Sequence, residues 1–493
     1  MFEPTIELMG PRTTVALLAA AATALLPGAA SAARVLRMDA SGHVHARQDR
    51  FLPAPDPTMA SAPRATAAAA TKPPPAPKTP PALQALLAAG AIDQPTYDRA
   101  IADYNRAVDL GKKLTGERRT AIRGVVSDLE GMAARGQVIP ARLPALLATL
   151  EANIRWWTTG PLLSSGARIE FAGSDIVWQH YVGQGIQIQW LATFGKANAL
   201  WSAKQDGALA DLLGEAVSLA GQRAGGLAFE YLFGFDGGRP PWVSGLAQGT
   251  ALTALVRAGS RLQDPEFYDA ARSAIGIFRM PPPEGVAQPT AVGTHYLQYS
   301  FAPQLHILNG FVQSLNGLYD YSSMLNDDEG RQLFAAGEAE AAAELPSYDT
   351  GGWSRYSEYR DSDLSYHDLL RGFLANLCNR LTRHGQDGEP FCQYAYRFGA
   401  DLTTPPVMTL VASTTVLHAK KTARVRFSID KPGTVTMIVS RGSFSYRAIV
   451  PVQSGAHSFG WKPPRAGSYE IGLSARDLAG NTSAVSTAAA VRR

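Results

Sequence analysis

The chain has little cysteine: only Cys378 and Cys392 occur in 493 residues. That excludes a disulfide-rich scaffold and a multi-cysteine zinc module. Charge is also thin. Charged residues make up 18% of the chain and the formal net charge is +4, so the balance gives no reason to expect nucleic acid. A basic groove can still attract a polyanion, because the local field matters more than the sum. Long apolar runs are missing except for TVALLAAAATALL near the N-terminus, which is too short to span a bilayer comfortably. A phosphate-binding loop, a serine-nucleophile elbow and a metal-ligand cluster are not evident either, so no cofactor or metal is expected.

The apolar run lies behind Arg12 and ahead of Ala30-Ser31-Ala32, the small-residue pattern of an export signal. A membrane anchor is the competing reading. Cleaved export over residues 1–33 is preferred, with the product secreted or in the cell envelope and without a membrane span. Cys378 and Cys392 flank NRLTRHGQDGEPF, a turn-like segment. A disulfide suits an oxidising compartment, and a pair of buried free thiols is the alternative.

Length calls for about two to four domains, and 46% hydrophobic residues can support large cores. Residues 34–81 include PAPDP, an alanine run and KPPPAPKTPP, and read as a disordered Pro/Ala-rich linker. Residues 82–155 carry apolar residues at three- and four-residue spacing and predict a helical region. ARIEFAG and SDIVWQHYV predict short strands. From residue 183 to about 400, helices alternate with glycine-rich loops: IQIQWLATFGKANALWSA, ALADLLGEAVSLAGQR, SGLAQGTALTALVRAG, LHILNGFVQSLNGLY, EGRQLFAAGEAEAAAEL and SYHDLLRGFLANLCNRL. Asp264-Pro265-Glu266 is a strong helix start. The fold class expected is mainly α, an (α/α)-toroid over residues 156–402 with short preceding strands. Residues 405–493 alternate apolar and polar residues between Gly and Pro, and predict an antiparallel immunoglobulin-like β-sandwich acting as a spacer or weak glycan-binding module.

Tyrosines crowd into loop-like sequence at Tyr296, Tyr299, Tyr348, Tyr356, Tyr359 and Tyr366, beside the pair Gly351-Gly352. A phenol offers a flat face to a sugar ring and a hydroxyl that can hydrogen-bond or move a proton. A half-buried tyrosine with a satisfied hydroxyl is the ordinary alternative for each. Trp242 and Trp353 suit sugar stacking, and Trp242 equally suits a core. Gln248 and Asn309 can bind sugar hydroxyls or cap loops, His180 reads as structural, and Asp349 as a turn former.

Four segments in order, GRPPWVSGLAQGTALTALVRA, ILNGFVQSLNGLYD, LPSYDTGGWSRYS and SYHDLLRGFLANL, resemble the C-terminal domain of the glucuronyl C5-epimerases. The resemblance spans roughly residues 183–400, and the ending GSYEIGLSARDLAGN resembles bacterial Ig-like accessory modules. It implies an exported isomerase that turns D-glucuronyl into L-iduronyl residues within an acidic, heparosan-like polysaccharide. It also implies proton transfer by Tyr299, Tyr356 and Tyr366, with Tyr299 and Tyr366 on opposite ring faces, and makes a homodimer an expectation. Gln298 stands where animal members have glutamate, Leu370 replaces a histidine, and Tyr356 to Tyr366 is a shorter spacing. The carbon-5 hydrogen is weakly acidic, so the carboxylate must be neutralised while a base and an acid serve the two faces. A free phenol titrates near 10, and Arg239, Arg355, Arg360 and His367 are candidates to lower it. Lys196 and His295 are candidate carboxylate binders, with Gln298 and Trp353 on the sugar. A uronate polysaccharide lyase uses the same first step, and a non-catalytic acidic-glycan-binding protein is a third class.

Overall fold

The computed structural model describes residues 32–53, 79–411 and 417–493. Nearly all of the expected signal and linker residues 54–78 therefore lie outside the described residues. The rest of the linker does not stay extended and free. Residues 34–53 belong to strands β1 (Ala32–Met38) and β2 (Val44–Pro53), and helix α1 (Thr79–Ala88) begins inside the expected linker. Proline and alanine further along hid a two-residue alternation: Ala33 and Val35 are buried while Arg34 and Arg37 face out.

Three more helices follow, α2 (Gln94–Lys113), α3 (Gly116–Ala134) and α4 (Leu143–Thr159). Asp93 caps α2 by accepting from the Thr96 N–H, with proline in the first turn. Strands β3 (Arg168–Phe171), β4 (Trp178–Tyr181) and β5 (Gly185–Ile188) then complete a five-stranded sheet of order β2-β1-β3-β4-β5. Only β1 and β3 run parallel in it, joined by the long helical connection that parallel pairing requires. The helix expected from Ile186 starts later. IQI alternates as strand β5, and α5 (Trp190–Ser202) begins where the Gln189 side chain accepts from Ala192 N–H.

The helical body continues with α6 (Asp206–Ser218), the hairpin β6 (Gly221–Arg223) and β7 (Gly226–Ala228), α7 (Gly245–Leu262) and α8 (Pro265–Ala274). Asp264 caps α8 as its sequence suggests. A second hairpin, β8 (Ala287–Pro289) and β9 (Thr294–Tyr296), precedes α9 (Leu308–Leu325) and α10 (Asp328–Glu344). A short ladder, β10 (Arg355–Ser357) with β11 (Arg360–Asp361), leads into α11 (Leu364–Arg383) and α12 (Glu389–Asp401). Cys378 and Cys392 form a disulfide between these last two helices.

The remainder is strand: β12 (Met408–Val411), β13 (Leu417–His418), β14 (Ala423–Ile429), β15 (Gly433–Arg441), β16 (Phe444–Val452), β17 (Gly455–Trp461), β18 (Gly467–Asp477) and β19 (Thr482–Arg492). They make a three-stranded sheet, β12-β14-β17, and a five-stranded one, β13-β19-β18-β15-β16. Alternate residues such as Phe427, Val435, Met437 and Leu473 enter one buried cluster. Among the described residues the chain is thus mixed, with twelve α-helices and a strand-rich C-terminal region, rather than mainly α. No helix among them is long and apolar enough to cross a membrane.

Helices α7 and α9 run through the centre and touch backbone to backbone. A Cβ on Gly317 would lie 2.1 Å from the Gly249 carbonyl oxygen, and one on Gly249 would lie 2.7 Å from Ser314 Cα. Neither neighbour can rotate away, since both are backbone. Gly317→Ala must therefore push the helices apart. It is expected to destabilise the protein by about 1–3 kcal/mol or more, read as a lowered midpoint in chemical denaturation.

Candidate active site

Beside these helices lies a cleft of about 960 Å³. One wall is aromatic. Tyr231 and Trp242 stack with centroids 4.2 Å apart, and Phe233, Phe235, Tyr299 and Phe301 pack around them at 5–7 Å spacing. Trp242 is buried in the core and also lines the cleft.

Gln298 and Tyr299 reach the cleft on a segment threaded between two helix starts. Gly245 N–H bonds to the Leu297 carbonyl, and Ser300 N–H bonds to the Val243 carbonyl. On the other side, a Cβ on Gly310 would lie 2.6 Å from Gln298 Oε1. Only a bare backbone at the start of α9 leaves room for this side chain. The Gln298 amide donates to the Tyr299 hydroxyl at 2.8 Å, and its Oε1 is buried with no partner in the protein.

Tyr366 enters from the first turn of α11, where the Asp363 carboxylate caps the helix through the Tyr366 N–H. Tyr356 comes from β10 and its ring lies 4.6 Å from that of Tyr366. The hydroxyl of Tyr356 is within hydrogen-bonding reach of Tyr299, Gln298 and Tyr366, so the four side chains form one constellation. Arg360 sits over the Tyr356 ring at 4.5 Å. Burial drives the Tyr299 phenol well above its ordinary range, and the neighbouring phenols push it further the same way. Burial also raises Tyr356, with Arg360 only opposing the shift. At neutral pH both phenols therefore carry their protons, which departs from the expectation that nearby cations lower them.

The structure separates the other expected groups. Lys196 pairs with Asp49 at 3.3 Å and Glu170 at 3.7 Å under the five-stranded sheet, and does not line the cleft. His295 is fully buried behind the segment and faces Glu344. Trp353 is fully buried and stacks on His367 at 3.8 Å, so it offers no face to a sugar. Burial pushes His367 down to about 4, and its ring is spent on Ser354 and the Phe398 carbonyl; it is a neutral prop rather than a cation. Arg239 is exposed beside Arg135, and Arg355 stands opposite Asp361 in the backbone ladder of β10 and β11 with its Nε buried and unpartnered; neither lines the cleft. Gln248 holds the Leu227 and Ala274 carbonyls, His180 contacts the Ser164 carbonyl, and Asp349 accepts from Gly351 N–H.

Sequence reasoning missed the basic groups of the cleft. Arg168, at the start of β3, lines it with Nε and Nη1 buried and unpartnered, beside Tyr181 and Tyr231. A buried guanidinium with free donors is a receptor for a carboxylate. At the other end Arg257 and Arg380 share the single carboxylate of Asp320, with Arg383 nearby. Arg168 lies 130 residues before Gln298 and in no recognised motif, so only the fold brings the two to one cleft. The cluster His295, His306 and Glu344 was also invisible in spacing.

The strand-rich C-terminal region grips the loop that carries Tyr356. Asp361 accepts from Ser454 N–H at 2.5 Å and Ser454 Oγ at 3.0 Å, and Thr350 Oγ1 donates to the Asp430 carbonyl at 2.7 Å. Buried Lys431 pairs with Asp477, donates to Asp401 and Thr404 carbonyls, and lies 5.7 Å over the Trp353 ring.

Residues 225–382 match the sequence profile of the family described as "D-glucuronyl C5-epimerase C-terminus". That segment contains Gln298 and all three tyrosines, and the match supports the resemblance first suggested by the four motifs. A D-glucuronyl C5-epimerase of Caenorhabditis elegans is 32% identical over 130 residues, covering 24% of this chain and 21% of the relative. The chain thus spans about a fifth of the length of the curated relative it matches. Among solved structures, an endo-beta-1,4-glucanase from Acetobacter xylinum is 14% identical, covering 44% of this chain and 67% of its own, with TM-score 0.31. An unsaturated glucuronyl hydrolase from Bacillus sp. GL1 is 15% identical, covering 43% and 60%, with TM-score 0.30. These two likenesses are too slight to define the fold.

The clasp on the Tyr356 loop makes a prediction. Asp361→Ala removes two hydrogen bonds to a carboxylate and is expected to cost about 2–3 kcal/mol of stability. Limited proteolysis should then show cleavage within residues 349–362, while circular dichroism of the remainder is retained.

Proposed function

We propose that this protein epimerises carbon 5 of D-glucuronyl residues to L-iduronyl residues within an acidic polysaccharide. The observation that carries the proposal is the joint presence, lining one cleft, of Gln298, Tyr299 and Tyr366, with Tyr356 bonded to them, and a buried guanidinium with free donors. The family match over the same segment supports it.

In this reading the Arg168 guanidinium takes the uronate carboxylate and neutralises it, which makes the carbon-5 hydrogen more acidic. Tyr299 removes or returns the proton on one face of the ring, and Tyr366 serves the other. Tyr356 joins the two as hydrogen-bond partner or third base. Gln298 cannot be a Brønsted base, but its role need not be lost. By donating to the Tyr299 oxygen it favours the phenolate over the phenol. The base function of the pair then falls on Tyr299 alone. Because burial raises both phenols, the base form is scarce at neutral pH and grows as pH rises, so turnover should climb across the alkaline range. Arg257, Arg380 and Arg383 supply positive charge for neighbouring acidic sugars.

The helical body is read as an (α/α)-toroid whose loops build the cleft, and the C-terminal sheets as an immunoglobulin-like sandwich. Export, a cell-envelope or secreted location and a homodimer belong to the same reading, supported by the N-terminal sequence and the family resemblance.

The test is incubation with a desulfated glucuronate polymer, read by proton NMR. New iduronyl signals are expected. An unsaturated uronate absorbing in the ultraviolet would instead mean a lyase, and saturable binding without reaction a glycan-binding protein. Arg168→Gln should lower kcat/KM roughly 10- to 150-fold, the worth of about 1.5–3 kcal/mol for hydrogen bonds to a charged group. An unchanged kcat/KM would remove Arg168 from the carboxylate site.

A further inference from the structure

We infer that His295, His306 and Glu344 form a binding site for a borderline transition-metal ion of the zinc type, separate from the cleft. His295 belongs to β9, His306 to the turn before α9, and Glu344 is the last residue of α10. Three separate elements thus bring their ligand atoms within 4.8 Å of one another.

The geometry is close to what such an ion needs. His295 Nδ1 lies 2.9 Å and His306 Nδ1 3.8 Å from the Glu344 carboxylate. Metal–ligand bonds of 2.0–2.1 Å in a tetrahedron place ligands about 3.3 Å apart. The two rings stack at 4.2 Å with 16° between planes, so they approach the carboxylate side by side. Two imidazoles with one carboxylate suit zinc and its neighbours, whereas calcium and magnesium prefer oxygen alone.

A second observation concerns His295 itself. It is fully buried, aims Nδ1 into the cluster, and leaves Nε2 without any partner. A third concerns charge. Glu340 is hydrogen-bonded to Thr290 beside Glu344, and Glu358 lies within electrostatic range of both histidines. No lysine or arginine ion pair to Glu340, Glu344 or Glu358 exists among the described residues. Glu340 and Glu344 hydrogen-bond to each other and have only the two histidines as basic neighbours, which leaves a place for a cation. Glu344 and His306 are partly exposed, which gives the ion a way in. The Tyr348 hydroxyl on the His306 carbonyl and the Thr290–Glu340 contact support the ligands from behind.

A bound ion would tie together His295 of β9, three residues ahead of Gln298, and the end of α10, from which the chain runs into the Tyr356 loop. Its effect is structural, and it does not depend on what the cleft does to sugars.

The test uses the full chain, stripped with a chelator and titrated with Zn²⁺ in a calorimeter, with melting curves taken alongside. One equivalent is expected to bind at micromolar or tighter affinity and to raise the melting temperature. His306→Ala and Glu344→Gln should each weaken binding at least tenfold while the melting curves of the chelator-treated variants show a folded protein. Glu358→Gln, an exposed change, serves as a second check if either variant fails to fold, and should weaken binding by a smaller factor. No saturable binding by the parent protein, or equal binding by the variants, overturns the inference.

Discussion

The insertion of one short segment, Leu297 to Ser300, between two helix starts is the constraint on which the cleft depends. Its backbone is held by Val243 and Gly245, and the Gln298 side chain fits only because Gly310 has no Cβ. That insertion presupposes the backbone contact of α7 with α9. Small residues along both helices are thus the reason that Gln298 and Tyr299 stand at a cleft rather than on a surface. Burial against the aromatic wall then raises the proton affinity of the Tyr299 hydroxyl.

Electrostatics divides the site into two tasks. The phenols lie where charge is disfavoured, so they hold protons and exchange them only when a partner compensates. Arg168 lies where a charge is already buried without a partner, so it gains most from an anionic ligand. An anion that enters relieves the second cost and changes the first. The C-terminal region contributes by fixing the loop that brings Tyr356 and Arg360 to Tyr366. Its strands therefore act on the geometry of the constellation and are more than a spacer, as Asp361, Thr350 and Lys431 all cross that boundary.

Much of this was legible in sequence, and the reasons are local. Apolar spacing marked α7, α9 and α11, and Asp264-Pro265-Glu266 marked the start of α8. Alternation marked β14, β15 and β18. The tyrosine-rich loops and the LNG and DTGG motifs pointed to Gln298, Tyr299, Tyr356 and Tyr366, which the fold gathers. What failed was whatever depends on distant partners. Lys196 looked like a free cation until β2 and β3 supplied Asp49 and Glu170. Trp353 looked like a sugar platform until His367 and Lys431 closed on both its surroundings and its faces. Arg168 sits in a four-residue strand with no motif around it. Residues 34–53 were lost in a proline-rich neighbourhood because two short strands carry little periodic signal.

If phenols on the two faces of one ring move the proton, carbon-5 deuterium in heavy water reports it for Tyr299→Phe and Tyr366→Phe, starting separately from glucuronyl and iduronyl polymer. Both variants should lose inversion, and each should still exchange deuterium into only one of the two starting polymers. Inversion and exchange at the parent rate in either variant would contradict it.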